Sequence, residues 1–350
     1  QSTLVTIHTL KKKDLLEFYN SDFYRKLMHV PFTPFRLWSY LENPFSAQED
    51  FVLYFIVIDN QIVSYRIVLH DLVYSTEKII WSSGNWTHPD YRRKGFSELL
   101  LNKIEKDYPH QLMVLTRTPG SAKLYQNREK YYFIHDIKST ELYLSFSFLE
   151  KKFPTKISKV LNWFYHFITP TKNEKFTFQQ SSLDQKTEAF LQEKSKNELF
   201  PLSTKKLQWI FQFPWLSTNP SDEIHQKFDF SFIDPTFHLA AFELRENDEL
   251  TAFVVRAIRQ KTYFLHYIYY NSDEQANEIV DNIIAEIEKE KLHSVVIRNP
   301  LIEFLLTRKL RVILKRPYKN FLFIDQKLIE KHPDLLHRNR QHGIGEIIFT

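Results

Sequence analysis

His88 to Leu101 reads HPDYRRKGFSELLL, and the fold turns on what this stretch does. The chain of 350 residues holds five glycines, and one of them, Gly95, directly follows three cations, Arg92, Arg93 and Lys94. Upstream, Lys78 to Thr87 has the β-branched and aromatic character of a strand. Downstream, Phe96, Leu99, Leu100, Ile104 and Tyr108 recur at helical spacing. A strand that runs through a loop into a helix presents unpaired backbone N–H groups at the helix N-terminus, where the helix dipole also favours negative charge. A glycine lets an anion approach the backbone closely, and the neighbouring cations add longer-range attraction. The segment is a candidate cradle for phosphate.

Composition narrows the partners. The length suggests two domains of ordinary size, and an apolar content of 43% is enough for real cores. Lysine and arginine number 47 against 42 aspartate and glutamate, a net +5 that favours an anionic ligand but is too small and scattered to expect nucleic acid. The absence of cysteine excludes a disulfide framework, a thiolate metal site and a thiol nucleophile. None of the 14 histidines has a His-x-x-x-His spacing beside a glutamate, so no metal is expected. The start, QSTLVTIHTLKKKDLL, lacks a continuous apolar stretch after its charges, and no run approaches the roughly 18 apolar residues of a spanning helix. A cytoplasmic enzyme without a membrane partner is the expectation.

Working outward, the chain shows two halves with the same order of elements. The first has a helical region, Lys11 to Phe23, then VPFTPFRLWSYLENPFS (30–46). A strand pair follows, FVLYFIVID and QIVSYRIVLHDLVYS, turned at Asp59-Asn60. After the cradle and its helix come the strand LMVLT, a second helix around Ala122 to Asn127, and aromatic strands up to Phe148. In the second half FPLSTKKLQWIFQFPWLS (200–217) aligns Pro201 with Pro31, Leu207 with Leu37 and Pro214 with Pro44 at one constant offset. AAFELRENDELTAFVVRAI predicts a hairpin at Asn247-Asp248, and TYFLHYIYY a strand. Ser272 to Leu292 predicts a helix opened by the capping box Ser272-x-x-Gln275, and VVIRNP parallels VLTRTP. The expectation is two copies of one α/β unit with a mixed sheet, 1–150 and 176–350, joined by a connector, 151–175, whose LNWFYHFI packs between domains. Trp38 and Trp209 read as core anchors, and HRNRQHGIGEIIFT as a flexible or docking tail.

The segment Thr87 to Ser97 resembles the pyrophosphate-binding segment of the GNAT superfamily of N-acetyltransferases, whose signature is Gln/Arg-x-x-Gly-x-Gly/Ala between a strand and a helix. Arg92, Gly95 and Ser97 fall on those positions, serine departing from the usual small residue. Ser121-Ala122-Lys123-Leu124-Tyr125 resembles the second motif of the family, although Thr118 stands where asparagine is common and Glu129-Lys130 replaces the usual Gly-Phe. The resemblance implies two tandem GNAT-like acyl-CoA N-acyltransferase domains that use acetyl-CoA as co-substrate and a primary amine of a small molecule or peptide as acceptor. It implies cofactor contacts at Asn85, Trp86, Thr87, Arg92, Arg93, Lys94, Gly95, Phe96 and Ser97. It also implies that Tyr125 protonates the departing thiolate and that backbone N–H groups at 85–87 hold the oxyanion.

Where family members often carry a Glu or His base on the strand before the loop, this chain has Trp81 and Ser83. His70, Asp71 and His88 are the candidates left nearby, besides a water relay or a residue from the second half. In that half, Asn271-Ser272-Asp273-Glu274 puts carboxylates where a pyrophosphate would sit, and Leu306 matches Tyr125, as in a degenerate copy that shapes the substrate cleft. The rival expectation is a non-catalytic acyl-CoA-binding or interaction protein, motivated by the missing base. Transfer from transfer RNA is disfavoured because the cofactor loop is retained. Gly95→Val should abolish CoA binding in isothermal titration; tight binding by that variant would identify the loop as a turn and nothing more.

Overall fold

The computed structural model describes residues 5–134, 138–149, 155–168, 176–219, 227–230 and 232–349. Strand β1 (Ile7–Lys11) leads through α1 (Leu15–Asn20), α2 (Asp22–Lys26) and α3 (Pro34–Leu41) to β2 (Phe51–Ile58), β3 (Gln61–Val73) and β4 (Glu77–Thr87). The β2–β3 turn holds Asp59 and Asn60 at φ 50° and 57°, the left-handed pair that matches the twist of a two-residue hairpin. Then follow α4 (Phe96–Asp107), β5 (Leu112–Thr116), α5 (Pro119–Gln126), β6 (Tyr131–Ile134), β7 (Lys138–Tyr143) and α6 (Thr155–Ile168).

The second half repeats the order. It runs β8 (Gln179–Gln180), α7 (Gln185–Ser195), α8 (Thr204–Gln212), β9 (His238–Glu246), β10 (Glu249–Arg259), β11 (Thr262–Tyr270) and α9 (Asp273–Glu290). It ends with β12 (Ser294–Ile297), α10 (Pro300–Lys309), β13 (Leu314–Lys319), β14 (Phe321–Asp325) and α11 (Gln326–Lys331). Asn247 and Asp248 turn the β9–β10 hairpin at φ 49° and 67°. Ser272 caps α9 by accepting from the Gln275 N–H, as the capping box predicts.

The strands form two seven-stranded mixed sheets, β1-β2-β3-β4-β5-β14-β6 and β13-β7-β12-β11-β10-β9-β8. The sheets exchange strands. β7 leaves the first half to pair with β12 and β13, and β14 returns from the second half to lie between β5 and β6. Sheet membership therefore does not divide at residue 150. Burial holds the exchange: Phe323 of β14 is fully buried and stacks on Phe133 at 5.0 Å, while Leu142 of β7 is fully buried in the second core. Of the connector 151–175, the backbone of 155–168 forms α6; the rest of it, and the side chains of 163–168 in LNWFYHFI, lie outside the described residues.

Two side-chain expectations change, and of the two alternatives for the tail one holds. Trp209 is buried, its Nε1 donating to the Ser39 carbonyl at 2.8 Å, but Trp38 is 43% exposed because Leu37 and Tyr40 take the core face of α3. On α4 the buried stripe is Phe96, Leu100, Leu101 and Ile104, and Leu99 faces out. The tail is docked rather than flexible. Ile344, Ile348 and Phe349 are buried, Phe349 stacks on Trp215 at 4.7 Å, and a Cβ at Gly343 would meet Tyr267 Cε2 at 2.7 Å. Phe323→Ala should cost about 3–5 kcal/mol, as for other buried aromatic truncations. Because the exchanged strands tie both sheets together, urea unfolding followed by circular dichroism and by tryptophan fluorescence should give one coincident transition.

Candidate functional site

The β3–β4 register steps from Arg66↔Asn85 to Ile67↔Ser83, leaving Gly84 as an extra residue on β4. Such a bulge bends its strand and increases the twist. Gly84 adopts φ +58°, and a Cβ there would meet Ile67 Cδ1 at 3.3 Å, so both the conformation and the space call for glycine. On its other edge β4 pairs with β5 at Ile80↔Leu112 and Trp81↔Met113 only. Beyond those pairs the strands diverge around a cavity of about 980 Å³. Ser82, Asn85 and Thr87 line one wall, Val114, Thr116 and Tyr125 another, and residues of the second half and the tail close the far side.

Successive strand residues face opposite sides of a sheet, so Ser82 and Ser83 look in opposite directions. Ser82 Oγ lies 3.3 Å from the Tyr125 hydroxyl, under α4 and α5. Tyr125 is buried, and its hydroxyl oxygen accepts a hydrogen bond from Arg66 Nη1 at 2.8 Å. Arg66 itself is fully buried on β3. Its Nε and Nη2 donate to the Ser97 carbonyl and Oγ, both at 2.9 Å, and Nη1 also reaches Ser82 Oγ at 3.1 Å. Ser97 Oγ in turn donates to Asn85 Oδ1 at 3.1 Å. These acceptors are neutral, and among the described residues no carboxylate pairs with Arg66. A buried positive charge thus sits beneath the first turn of α4, next to the Tyr125 hydroxyl.

The loop ahead of α4 is exposed from Arg92 to Gly95. Gly95 is the N-cap of α4 at φ +81°, and a Cβ on it meets nothing within 4 Å, so the open space in front of it is free for a ligand. Arg92 Nε donates to the Thr87 carbonyl at 3.2 Å, and Lys94 Nζ lies 4.4 Å from the Tyr91 ring centroid. Thr87 Oγ1 is bonded to Ser64 Oγ at 2.9 Å. Trp86 and Phe96 are buried, their rings against Tyr65 and Tyr91. Asn85, Trp86, Thr87, Arg92 and Tyr125 line the cavity, and Arg93, Lys94 and Gly95 continue from Arg92 along the exposed loop.

None of the three base candidates lines this cavity. His70 shares a hydrogen bond with the Tyr108 hydroxyl at 3.1 Å, and burial holds its imidazole down to about 4 against the opposing pull of Asp50. Asp71 is paired with Lys206 at 2.7 Å and accepts from Trp81 Nε1 at 3.1 Å. His88 Nδ1 accepts from the Asp90 N–H at 3.3 Å.

The tail brings a carboxyl to this strand. Gly345, at φ +62°, lies against the Trp81 ring so closely that a Cβ would stand 3.2 Å from Trp81 Cδ2. The next residue, Glu346, lines the cavity and accepts from Ser83 Oγ at 2.6 Å. Gly345-Glu346 therefore covers Trp81 and Ser83, the non-basic residues that stand at the two strand positions where the resembled family often carries a Glu or His. Loss of water around the Glu346 carboxyl raises its pKa, with the Ser83 bond and then the fields of Arg36 and Arg117 opposing. Two of the chain's five glycines, Gly343 and Gly345, fall in this short tail, and that concentration was the signal in the sequence.

The second half is built differently at the matching places. Asp273 and Glu274 occupy the first turn of α9, Leu306 is buried on α10, and the buried Arg256 of β10 is neutralised by Glu286 of α9. Among the described residues no group of histidine, aspartate and glutamate side chains is placed to hold a metal ion.

No protein-family model matches the sequence, and no curated protein matches it. Solved structures do. An N-myristoyltransferase of Saccharomyces cerevisiae with bound myristoyl-CoA superposes with a TM-score of 0.52 over 93% of this chain and 80% of that one, at 9% identity. The chain has the tandem GNAT fold. A conserved Enterococcus faecalis V583 protein of unknown function, described as a probable N-acyltransferase, matches with a TM-score of 0.48 at 11% identity, over 93% of this chain and 73% of that one. A GCN5-related N-acetyltransferase from Anabaena variabilis matches with a TM-score of 0.42 at 10% identity, over 79% and 62% of the two chains. At these identities the likeness is one of fold. Within this GNAT fold the divergent strands belong to the first sheet, the exposed helix N-terminus and Tyr125 to α4 and α5 of the first half, and the tail packs on β4 at Trp81 and Ser83. Gly345→Val, which combines a left-handed φ with a contact on Trp81, should release the tail. Hydrogen–deuterium exchange should then show lost protection at 344–349 with circular dichroism retained, and unchanged protection would contradict the docking.

Proposed function

We propose that the chain is an acyl-CoA-dependent N-acyltransferase, with acetyl-CoA as donor and a primary amine of a small molecule or peptide as acceptor. The observation that carries the reading is the convergence on one cavity of Tyr125, backed by Arg66, and of Glu346 from the opposite face of β4. The first half, with its exchanged strand, is the acyl-CoA-binding unit. The second half, lacking both cradle and tyrosine, is a degenerate copy that completes the acceptor side.

The pyrophosphate is held by the N–H groups at the start of α4, Gly95 to Ser97, with Arg92, Arg93 and Lys94 adding charge. The pantetheine arm lies along β4 beyond Trp81, where the strand edge has lost β5 and its amide groups can satisfy the backbone. An amine with a pKa near 10 arrives as ammonium and must lose a proton before it attacks. Glu346, whose carboxyl is made more basic by its surroundings, takes that proton. The nitrogen lone pair forms the bond to the thioester carbon, N–H groups of the free β4 edge at 85–87 hold the oxyanion, and the C–S bond breaks with its electron pair on sulfur. Because the Tyr125 oxygen already accepts from Arg66, its own proton is free for the thiolate, and the Arg66 charge favours that developing anion. The second proton, shed by the former amine nitrogen as the amide forms, restores the Tyr125 hydroxyl through solvent, and Glu346 releases the first to bulk water. Use of acyl-CoA suits a cytoplasmic enzyme, and among the described residues no helix is long and apolar enough to cross a membrane.

The test is thiol release from a series of acyl-CoAs with a panel of amines. Tyr125→Phe should lower kcat by about 10² while leaving CoA affinity unchanged. In the wild type kcat/KM should climb with pH as the raised Glu346 carboxyl ionises, and Glu346→Gln should flatten that limb. A wild type that binds CoA yet acylates no amine would favour the acyl-CoA-binding protein instead.

A further inference from the structure

The acceptor side of the cavity carries more positive charge than acyl transfer needs. Arg36 comes from α3, Arg117 from the end of β5 and Arg259 from β10, and all three line the cavity. Arg36 is 7% exposed and held in an aromatic cage, its guanidinium 4.1 Å from the Trp215 ring and 5.0 Å from Phe228. Its Nε has no hydrogen-bond partner. Arg117 stacks over Tyr318 at 4.8 Å near the mouth. Desolvation and then the field of Arg117 depress the pKa of Arg259, Asp234 opposing and Arg36 adding to the effect, so the charges feel one another.

The anions nearby are otherwise engaged. Asp229 pairs with His29 at 2.9 Å, and Asp234 is bonded to Thr236 and to the Gln260 N–H. Glu141, whose field reaches Arg117, accepts from the Tyr143 and Ser294 hydroxyls. Glu346, whose field reaches Arg117 and which feels Arg36, accepts from Ser83 without pairing with either arginine. Among the described residues none of the three arginines forms an ion pair. Desolvated like charges raise the free energy of a cavity, and a bound anion reverses that cost through charge-assisted hydrogen bonds. The guanidinium fork matches the paired oxygens of a carboxylate or phosphate. The phosphates of CoA do not fill this role in the proposed reaction, because their cradle is the start of α4, whereas Arg36 and Arg259 pack with Trp215 and the second sheet.

We propose that the amine acceptor carries an anionic group, carboxylate or phosphate monoester, which Arg36 and Arg259 hold while Arg117 guards the entrance. This rests on the N-acyltransferase reading given above, and its test is arranged so that the two can fail separately. Matched acceptors are compared with the full chain: O-phosphoethanolamine against ethanolamine, and glycine against glycinamide. The anionic member of one pair should be preferred by about tenfold or more in kcat/KM, the range for a hydrogen bond to a charged group. The pair that shows it tells phosphate from carboxylate. In Arg259→Gln, and in Arg36→Gln where that variant folds, the ratio should fall towards one. Equal rates within both pairs, or a ratio unchanged in Arg259→Gln, would overturn the proposal while leaving acyl transfer intact. Isothermal titration of the same chain with inorganic phosphate and with acetate, at constant ionic strength, reads the site without turnover. Binding that weakens about tenfold in Arg259→Gln supports the site even if CoA fails to bind, and equal affinities in the two proteins count against it.

Discussion

The arrangement depends on one separation: β4 and β5 stay paired at Ile80–Trp81 and Leu112–Met113 and then part. A bulge at Gly84 bends β4, and the twist it adds carries the strand away from its parallel neighbour. Parting exposes a backbone edge inside the protein, which is unfavourable unless something hydrogen-bonds to it. It also opens both faces of the sheet to one space, so that Tyr125 of α5 and Glu346 of the tail line the same cavity. Without the separation, Tyr125 and Glu346 would sit on opposite sides of a closed sheet.

The second constraint is that the two halves cannot close alone. β14 fills the first sheet and β7 the second, and the residues after β14 run back across β4. The tail is pinned along its length. The Gly343 N–H donates to the His266 carbonyl at 3.0 Å, the Tyr267 hydroxyl donates to the Gly343 carbonyl at 3.0 Å, and Trp215 N–H donates to the Phe349 carbonyl at 3.1 Å. Glu198, whose pKa burial pushes up to about 7 against its bonds from Gln341 and Tyr269, anchors the approach. The carboxylate that faces the cavity is thus held by the second half, although the strand it serves belongs to the first.

Much of this was legible in the sequence where local physics decides. Asp59-Asn60 and Asn247-Asp248 announce hairpins because those residues tolerate left-handed φ, and Gly95 marks the entry to α4 because the chain turns there at φ +81°, which glycine adopts readily. The strand exchange was not legible: alternation in a strand fixes which face is buried and says nothing about which neighbour it takes. Glu346 was missed for the same reason, since it meets Ser83 across 263 residues of chain. Arg66 is one cation within the apolar run of β3, and only the contacts with Ser97 and Tyr125 set it apart. Trp38 and Leu99 went wrong by a small rotation of their helices, which periodicity alone does not resolve.

The most direct measurement of the central claim is a crystal structure of the chain with CoA bound. The account predicts one molecule per chain, its pyrophosphate on the N–H groups of Gly95 to Ser97 and its sulfur within hydrogen-bond reach of the Tyr125 hydroxyl. A cofactor seated at the start of α9, or a sulfur remote from Tyr125 and screened from Glu346, would contradict it.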